Sequence, residues 1–285
     1  MIDVEALASF SGDVPPEGLD ALIALNLGLG AQPVDAQRVV SRMPLVFPLW
    51  QDVGEGFVGL LVWPTPEPGM PLPVVRCTGH RLRCLAPSAR DLLRQQLGAL
   101  DARGDLPGGE SSGVYEPGEV RHSGLDLLRW QTARAGGSPL HFERVASEHL
   151  RSGDATAALV ALEVANTRFG GWACTHASRH RLLLALGRGV EARDAALAAL
   201  SLPVWTLDGA FSPIARAAGW ADPIDGRPYR SRAAAPDVAP ADRAAHLLDA
   251  AAVDEVPWSE VRDAAADGWT EAGLLHVAAL ARWVG

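Results

Sequence analysis

The chain has 285 residues, of which 48% are hydrophobic and 21% charged, and 25 basic side chains against 34 acidic ones give a net charge of −9. That supplies a sizeable core and excludes wholesale disorder, and the negative balance excludes the strong positive field that non-specific nucleic-acid binding needs. Every basic residue is arginine, so Schiff-base, P-loop-lysine and kinase-lysine chemistry are excluded as well.

Residues 1–100 read as an α+β unit. Pro16-Glu17-Gly18 leads into a short helix, Leu19 to Leu25, which Gly28 and Gly30 end. Pro44 to Trp50 and Phe57 to Trp63 are apolar, aromatic runs bounded by Gly54, Gly56, Pro64 and Pro66, as buried strands are. Pro73 to Cys77 is the next strand, and Arg81 to Leu85 alternates polar and apolar like a half-exposed one. Ser88 then caps an amphipathic helix through Leu97, with Asp91 three residues on.

Residues 101–122 are rich in Gly, Pro and Ser and have the composition of a linker. Residues 123–285 are Ala- and Leu-rich and read as all-helical. Within them two helical hairpins repeat at an offset of 34: Gly153 falls on Gly187, Ala158 on Ala192, and Ala165 on Ala199. Breaks at 152–154 and 187–189 separate the helices of each pair. After Pro203 the period decays. Ser212-Pro213 starts a helix, residues 221–240 form an extended connector, and helices at 241–251, 257–267 and 270–283 cap the array, with Gly268 between the last two.

The 34-residue period, with Phe142 at the large aromatic position, Ala146 at the small one and Ala158 and Ala165 on the second helix, resembles the tetratricopeptide repeat. The first half, with Pro15 to Leu19 before a helix, Pro48-Leu49-Trp50, the Gly-flanked strand to Trp63, and Leu85 to Leu93 entering a last helix, resembles the SMI1/KNR4 superfamily. That resemblance implies a non-enzymatic binding module, many of whose bacterial members are immunity proteins that neutralise toxins.

Four constellations carry chemistry. Arg76, Arg81, Arg83, Arg90 and Arg94 stand together in an acidic chain, and Arg81 and Arg83 share a strand face; they suit an acidic partner or a solvated sheet surface. Of nine tryptophans, Trp172 and Trp205 are candidates for a protein-binding surface, since Trp is enriched at binding hot spots. His176 and His180 lie four apart on one helix face near Cys174, with His149 on the preceding hairpin; these are ligand types for zinc, and no other cofactor is implied. Cys77-x2-His80-x3-Cys84 offers three more, or two buried thiols flanking a turn.

No catalytic residues are assigned, because no nucleophile elbow, Walker loop or dinucleotide fingerprint is present. Three cysteines do not make an even disulfide framework. No apolar run reaches the roughly 20 residues that span a membrane, and the acidic start Met1 to Glu5 lacks a signal's basic region. The sequence therefore predicts a cytoplasmic, non-enzymatic adaptor that binds another protein. The alternative is a metal-dependent enzyme built on His149, Cys174, His176 and His180.

Overall fold

The computed structural model describes residues 16–34, 45–52, 56–64, 72–79, 81–106, 113–120, 124–207, 211–219 and 228–282. Expectations resting on Pro15, Pro44, Gly54, Pro66, His80, or residues 107–112, 121–123 and 221–227 lie outside them.

Helix α1 (Leu19–Gly28) buries Leu19, Leu22 and Asn26. The Asn26 carboxamide exchanges hydrogen bonds of 2.9 and 3.1 Å with Gln96, which ties α1 to α2 (Ala89–Asp101). Between these helices the strands β1 (Gln32–Pro33), β2 (Val46–Gln51), β3 (Phe57–Leu61), β4 (Val74–Thr78) and β5 (Arg81–Ala86) form an antiparallel sheet in chain order. All of β3, and β2 up to Trp50, are buried, so these strands are unbroken apolar runs covered on both faces. In β5, Leu82, Cys84 and Ala86 point inward and Arg81 outward. The Ser88 hydroxyl accepts the Asp91 N–H at 3.1 Å and donates to the Asp91 carboxylate at 2.7 Å, so the expected cap of α2 is present.

The segment after α2 is anchored where it is described. The Asp101 carboxylate accepts the Tyr115 hydroxyl at 2.5 Å and the Gly118 N–H at 2.6 Å, and Glu119 pairs with Arg94 at 2.7 Å. Helices follow: α3 (Leu125–Arg134), α4 (Pro139–Arg151), α5 (Ala155–Arg168), α6 (Ala173–Ala185) and α7 (Gly189–Leu200). An antiparallel sheet thus precedes a mostly helical remainder, as the α+β-then-helical reading expects.

Helices α4/α5 and α6/α7 are the two hairpins of the 34-residue period. Gly153 and Gly187 sit at φ 82° and 72°, the left-handed conformation that closes a helix C-terminus. The N–H after each returns to the last turn, Asp154 to the His149 carbonyl and Arg188 to that of Leu183. Ala158, Ala165, Ala192 and Ala199 are all at most 1% exposed, which is why a larger side chain has no room there.

A 3-10 turn (Val204–Thr206) then leads to α8 (Phe211–Ala217), α9 (Pro228–Ala233), α10 (Pro240–Ala252), α11 (Trp258–Glu271) and α12 (Leu275–Arg282). Two elements differ from expectation. The 221–240 connector contains α9, whose first N–H groups, of Tyr229 and Arg230, donate to the Glu255 carboxylate at 3.4 and 3.0 Å. That cap comes from the loop beyond α10, so no local pattern announces it.

Gly268 does not break the chain; it lies inside α11. A Cβ there would stand 2.7 Å from the Pro240 carbonyl oxygen and 3.2 Å from the Ala244 side chain, so the missing side chain lets α10 and α11 meet. The break falls at Gly273, with φ 77°. Gly268→Ala is therefore expected to cost about 1–3 kcal/mol by overpacking, although alanine is the better helix former. Urea denaturation reads this directly, and a more stable variant would refute the close-approach argument.

One cluster of buried side chains runs from the strands and α2 through α4–α7 and the 3-10 turn into α10–α12. Sheet and helices thus share an interior.

Candidate functional site

Three indoles mark the junction of sheet and helices. Trp63 follows β3, Trp172 stands at the N-cap of α6, and Trp205 lies in the 3-10 turn. The Trp63 ring meets Trp172 edge-on at 5.5 Å and Trp205 at 5.3 Å. Polar contacts fix these positions. Trp172 has no side-chain cap to offer α6, so the Ala173 N–H donates instead to the Thr206 hydroxyl at 2.8 Å. The turn itself is held by Asp249 of α10, whose carboxylate accepts the Val204 N–H at 2.8 Å. Asp249 is 7% exposed, and burial pushes its carboxyl up to about 7 against the pull of the Val204 N–H and Arg232.

Beside the indoles lies a cleft of about 640 Å³. Trp63, Pro64, Pro73, Cys84 and Pro87 form the sheet side, and Phe169, Gly170, Gly171, Trp172 and Pro203 the helical side. The volume accommodates a few side chains or a small ligand. Its walls are pyrrolidine, indole and glycine backbone, and the four prolines offer no N–H. Recognition here is by apolar contact.

Among the described residues the one charged side chain in the lining is Arg168, at the end of α5. Its Nη1 donates to the Thr132 carbonyl at 2.8 Å, and the guanidinium sits 5.6 Å over the Phe142 ring, which itself meets Phe169 at 6.1 Å. Neutral groups thus hold Arg168 in place. Among the described residues no carboxylate pairs with it. Burial, with the neighbouring Cys174 second, pushes the Cys84 thiol well up, so the cleft contains no ready thiolate nucleophile.

The residues singled out in the sequence fall in different places. Arg76 and Arg83 are direct cross-strand partners and Arg81 pairs with Thr78, so these three share one sheet face. Like charges opposite one another repel. Asp52 relieves this by bridging Arg76 at 2.5 Å. Arg90, on α2, lies apart and pairs with Glu17 at 3.0 Å. Trp205 is 1% exposed and Trp172 4%: their area is committed to the interior, which corrects the picture of both as surface rings, although Trp172 also lines the cleft.

The proposed metal set is spread out. His149 is half-buried in the last turn of α4. His180 is buried on α6 with its Nδ1 2.7 Å from the Ala192 carbonyl, a contact that locks α6 to α7. His176 is pushed down by burial and by Arg179, and Cys174 is a buried thiol outside any disulfide. Among the described residues no three His, Cys, Asp or Glu side chains are grouped to hold a metal ion. Cys77 and Cys84 are likewise buried on adjacent strands and outside any disulfide.

Comparison with known proteins adds an independent line. Profiles of three consecutive domains match the chain: PAB N-terminal over residues 5–129, PAB middle domain over 139–222 and PAB C-terminal domain over 234–283. A curated relative from Arabidopsis thaliana, "Protein IN CHLOROPLAST ATPASE BIOGENESIS, chloroplastic", is 31% identical over 294 residues, covering 94% of this chain and 88% of its own. No solved structure matches. These matches overturn both the SMI1/KNR4 and the tetratricopeptide resemblances, and the immunity-type reading falls with the first. The physical reason is plain: small residues seven apart serve any close helix pair, and a helix–strands–helix order recurs in many α+β folds, so neither pattern specifies a family. The three matched segments run from one end of the chain to the other in order, and the plant relative aligns across the same span: the chain belongs to the PAB family.

Proposed function

We propose that this protein is a non-enzymatic assembly factor that holds a subunit of an ATPase while the complex is built. The observation that carries this reading is the near full-length match to a relative described as acting in chloroplast ATPase biogenesis. The apolar cleft fits the role, since a protein that shields an unassembled subunit needs a surface for side chains that the finished complex will bury. Arg81, on the sheet face that also carries Arg76 and Arg83, supplies a second, basic contact for an acidic stretch of the same client, while Arg76 is engaged with Asp52 and Arg90 with Glu17.

The place of action is where the ATPase is assembled, and the relative's chloroplastic description favours the plastid over the cytoplasm. Among the described residues no helix is long and apolar enough to cross a membrane.

Removal of the gene is the test. Assembled ATPase should fall several-fold on native gels while the transcripts of its subunits stay level, and the purified protein should co-elute with at least one free subunit. Unchanged assembly together with no co-elution refutes the reading.

A further inference from the structure

The composition of the cleft says more about what enters it. Its walls are rings and glycine backbone, with four prolines among the lining residues, so an occupant gains by burying apolar groups and finds few donors to satisfy polar ones. At one end stands Arg168, positioned by the Thr132 carbonyl and the Phe142 ring and with no acid of its own among the described residues. Several other arginines pair with carboxylates of the chain, among them Arg76 with Asp52, Arg90 with Glu17, Arg181 with Glu143 and Arg188 with Glu191. A guanidinium fixed by neutral groups keeps its remaining N–H donors for a carboxylate from outside.

We infer that the cleft between sheet and helices binds an extended apolar segment of the client polypeptide, with an Asp or Glu beside the apolar run pairing with Arg168. This rests on the assembly-factor reading for the source of the segment, though not for its chemistry. The segment lays aliphatic or proline side chains between Trp63 and the Phe169–Trp172 turn, and the neighbouring carboxylate sets its direction.

Gly171 provides a clean test. A Cβ there would meet Trp63 at 3.7 Å, an ordinary contact, and its backbone is not left-handed, so residue 171 admits a side chain, and Gly171→Leu narrows the cleft against Trp63. Arg168→Glu reverses the charge, and Arg168→Lys retains it. The probe is an array of overlapping 15-residue peptides covering every subunit of the ATPase whose assembly the deletion impairs, read against the whole protein and these variants.

Wild type should select apolar peptides that contain an adjacent acid. Gly171→Leu should lose at least about tenfold in affinity, and Arg168→Glu should lose about tenfold for acidic peptides and gain for copies with Lys in place of the acid, with Arg168→Lys retaining most binding. Equal binding by wild type and Gly171→Leu, or indifference to the charge at residue 168, overturns the inference. So does a dimer in solution that Gly171→Leu abolishes, which would make a second copy the occupant. If no peptide binds while intact subunits still co-elute with wild type, this inference fails and the assembly reading stands; if intact subunits do not co-elute and assembly is unchanged in the deletion, the assembly reading is what fails.

Discussion

Trp205→Ala should lower the stability of the whole chain by about 3–5 kcal/mol, the range for removing a fully buried aromatic ring. The ring is 1% exposed and stands against Trp63 of the sheet, inside a turn fixed by α6 on one side and α10 on the other. The loss should therefore not stay local. Hydrogen exchange of β3 amides and of α6 amides should accelerate together, because Trp205 packs against Trp63, just beyond the end of β3, and its turn holds the first N–H of α6. Trp205→Phe should recover part of the loss. If α6 loosens while β3 keeps its protection, the sheet and the helices are independent units and the shared interior has been overestimated.

Asp249→Asn should make the protein more stable above pH 7 and leave it almost unchanged near pH 4. The Asp249 carboxyl titrates at about 7 in the folded chain, chiefly because it is buried, against about 3.9 when exposed. A folded value above the unfolded one means that the folded state holds its proton longer. The folded state is unpenalised below pH 4, and stability drains away as pH rises through 7, by up to about 4 kcal/mol.

Asparagine keeps an oxygen for the Val204 N–H and removes the charge. The wild-type curve alone would conceal this. His141, held down to about 4 by burial and then by Arg144, works in the opposite sense: its contribution is present above pH 6.5 and is lost as pH falls through 4. The two slopes partly cancel between pH 4 and 7, and the variant should uncover the histidine's. Urea denaturation of both proteins at pH 5 and pH 8 is the measurement; a gap that does not widen at pH 8 defeats the argument.

Much of the fold is legible in the sequence because its signals are local. The Ser88–Asp91 cap, the alternation in β5, and Gly153 and Gly187 at the hairpin turns each act within a few residues, and each appears where the pattern puts it. What escapes is long-range. Glu255 caps α9 from another loop, Thr206 caps α6 from the next turn, and Gly268 is explained only by the Pro240 carbonyl beside it.

The cleft escapes for the same reason. Trp63, Arg168 and Pro203 have no common spacing and meet only once the helices fold back over the sheet. A glycine pair directly before Trp172 was the one local hint, since Gly170 and Gly171 leave the turn without side chains where the wall must be open. The histidines mislead because i, i+4 spacing aligns residues on a helix whether they bind metal or pack against a neighbour, and His180 packs against α7.

The indole contact across the junction also bears on how such a protein can be rebuilt. Trp63 comes from the segment matched by the N-terminal family domain, Trp172 and Trp205 from the segment matched by the middle one, and Asp249, which steadies the turn, from the C-terminal one. A hybrid that takes one segment from a distant relative would set mismatched shapes against each other at this point. The three segments are therefore best exchanged together, and grafts between family members should survive only when these four positions travel as a set.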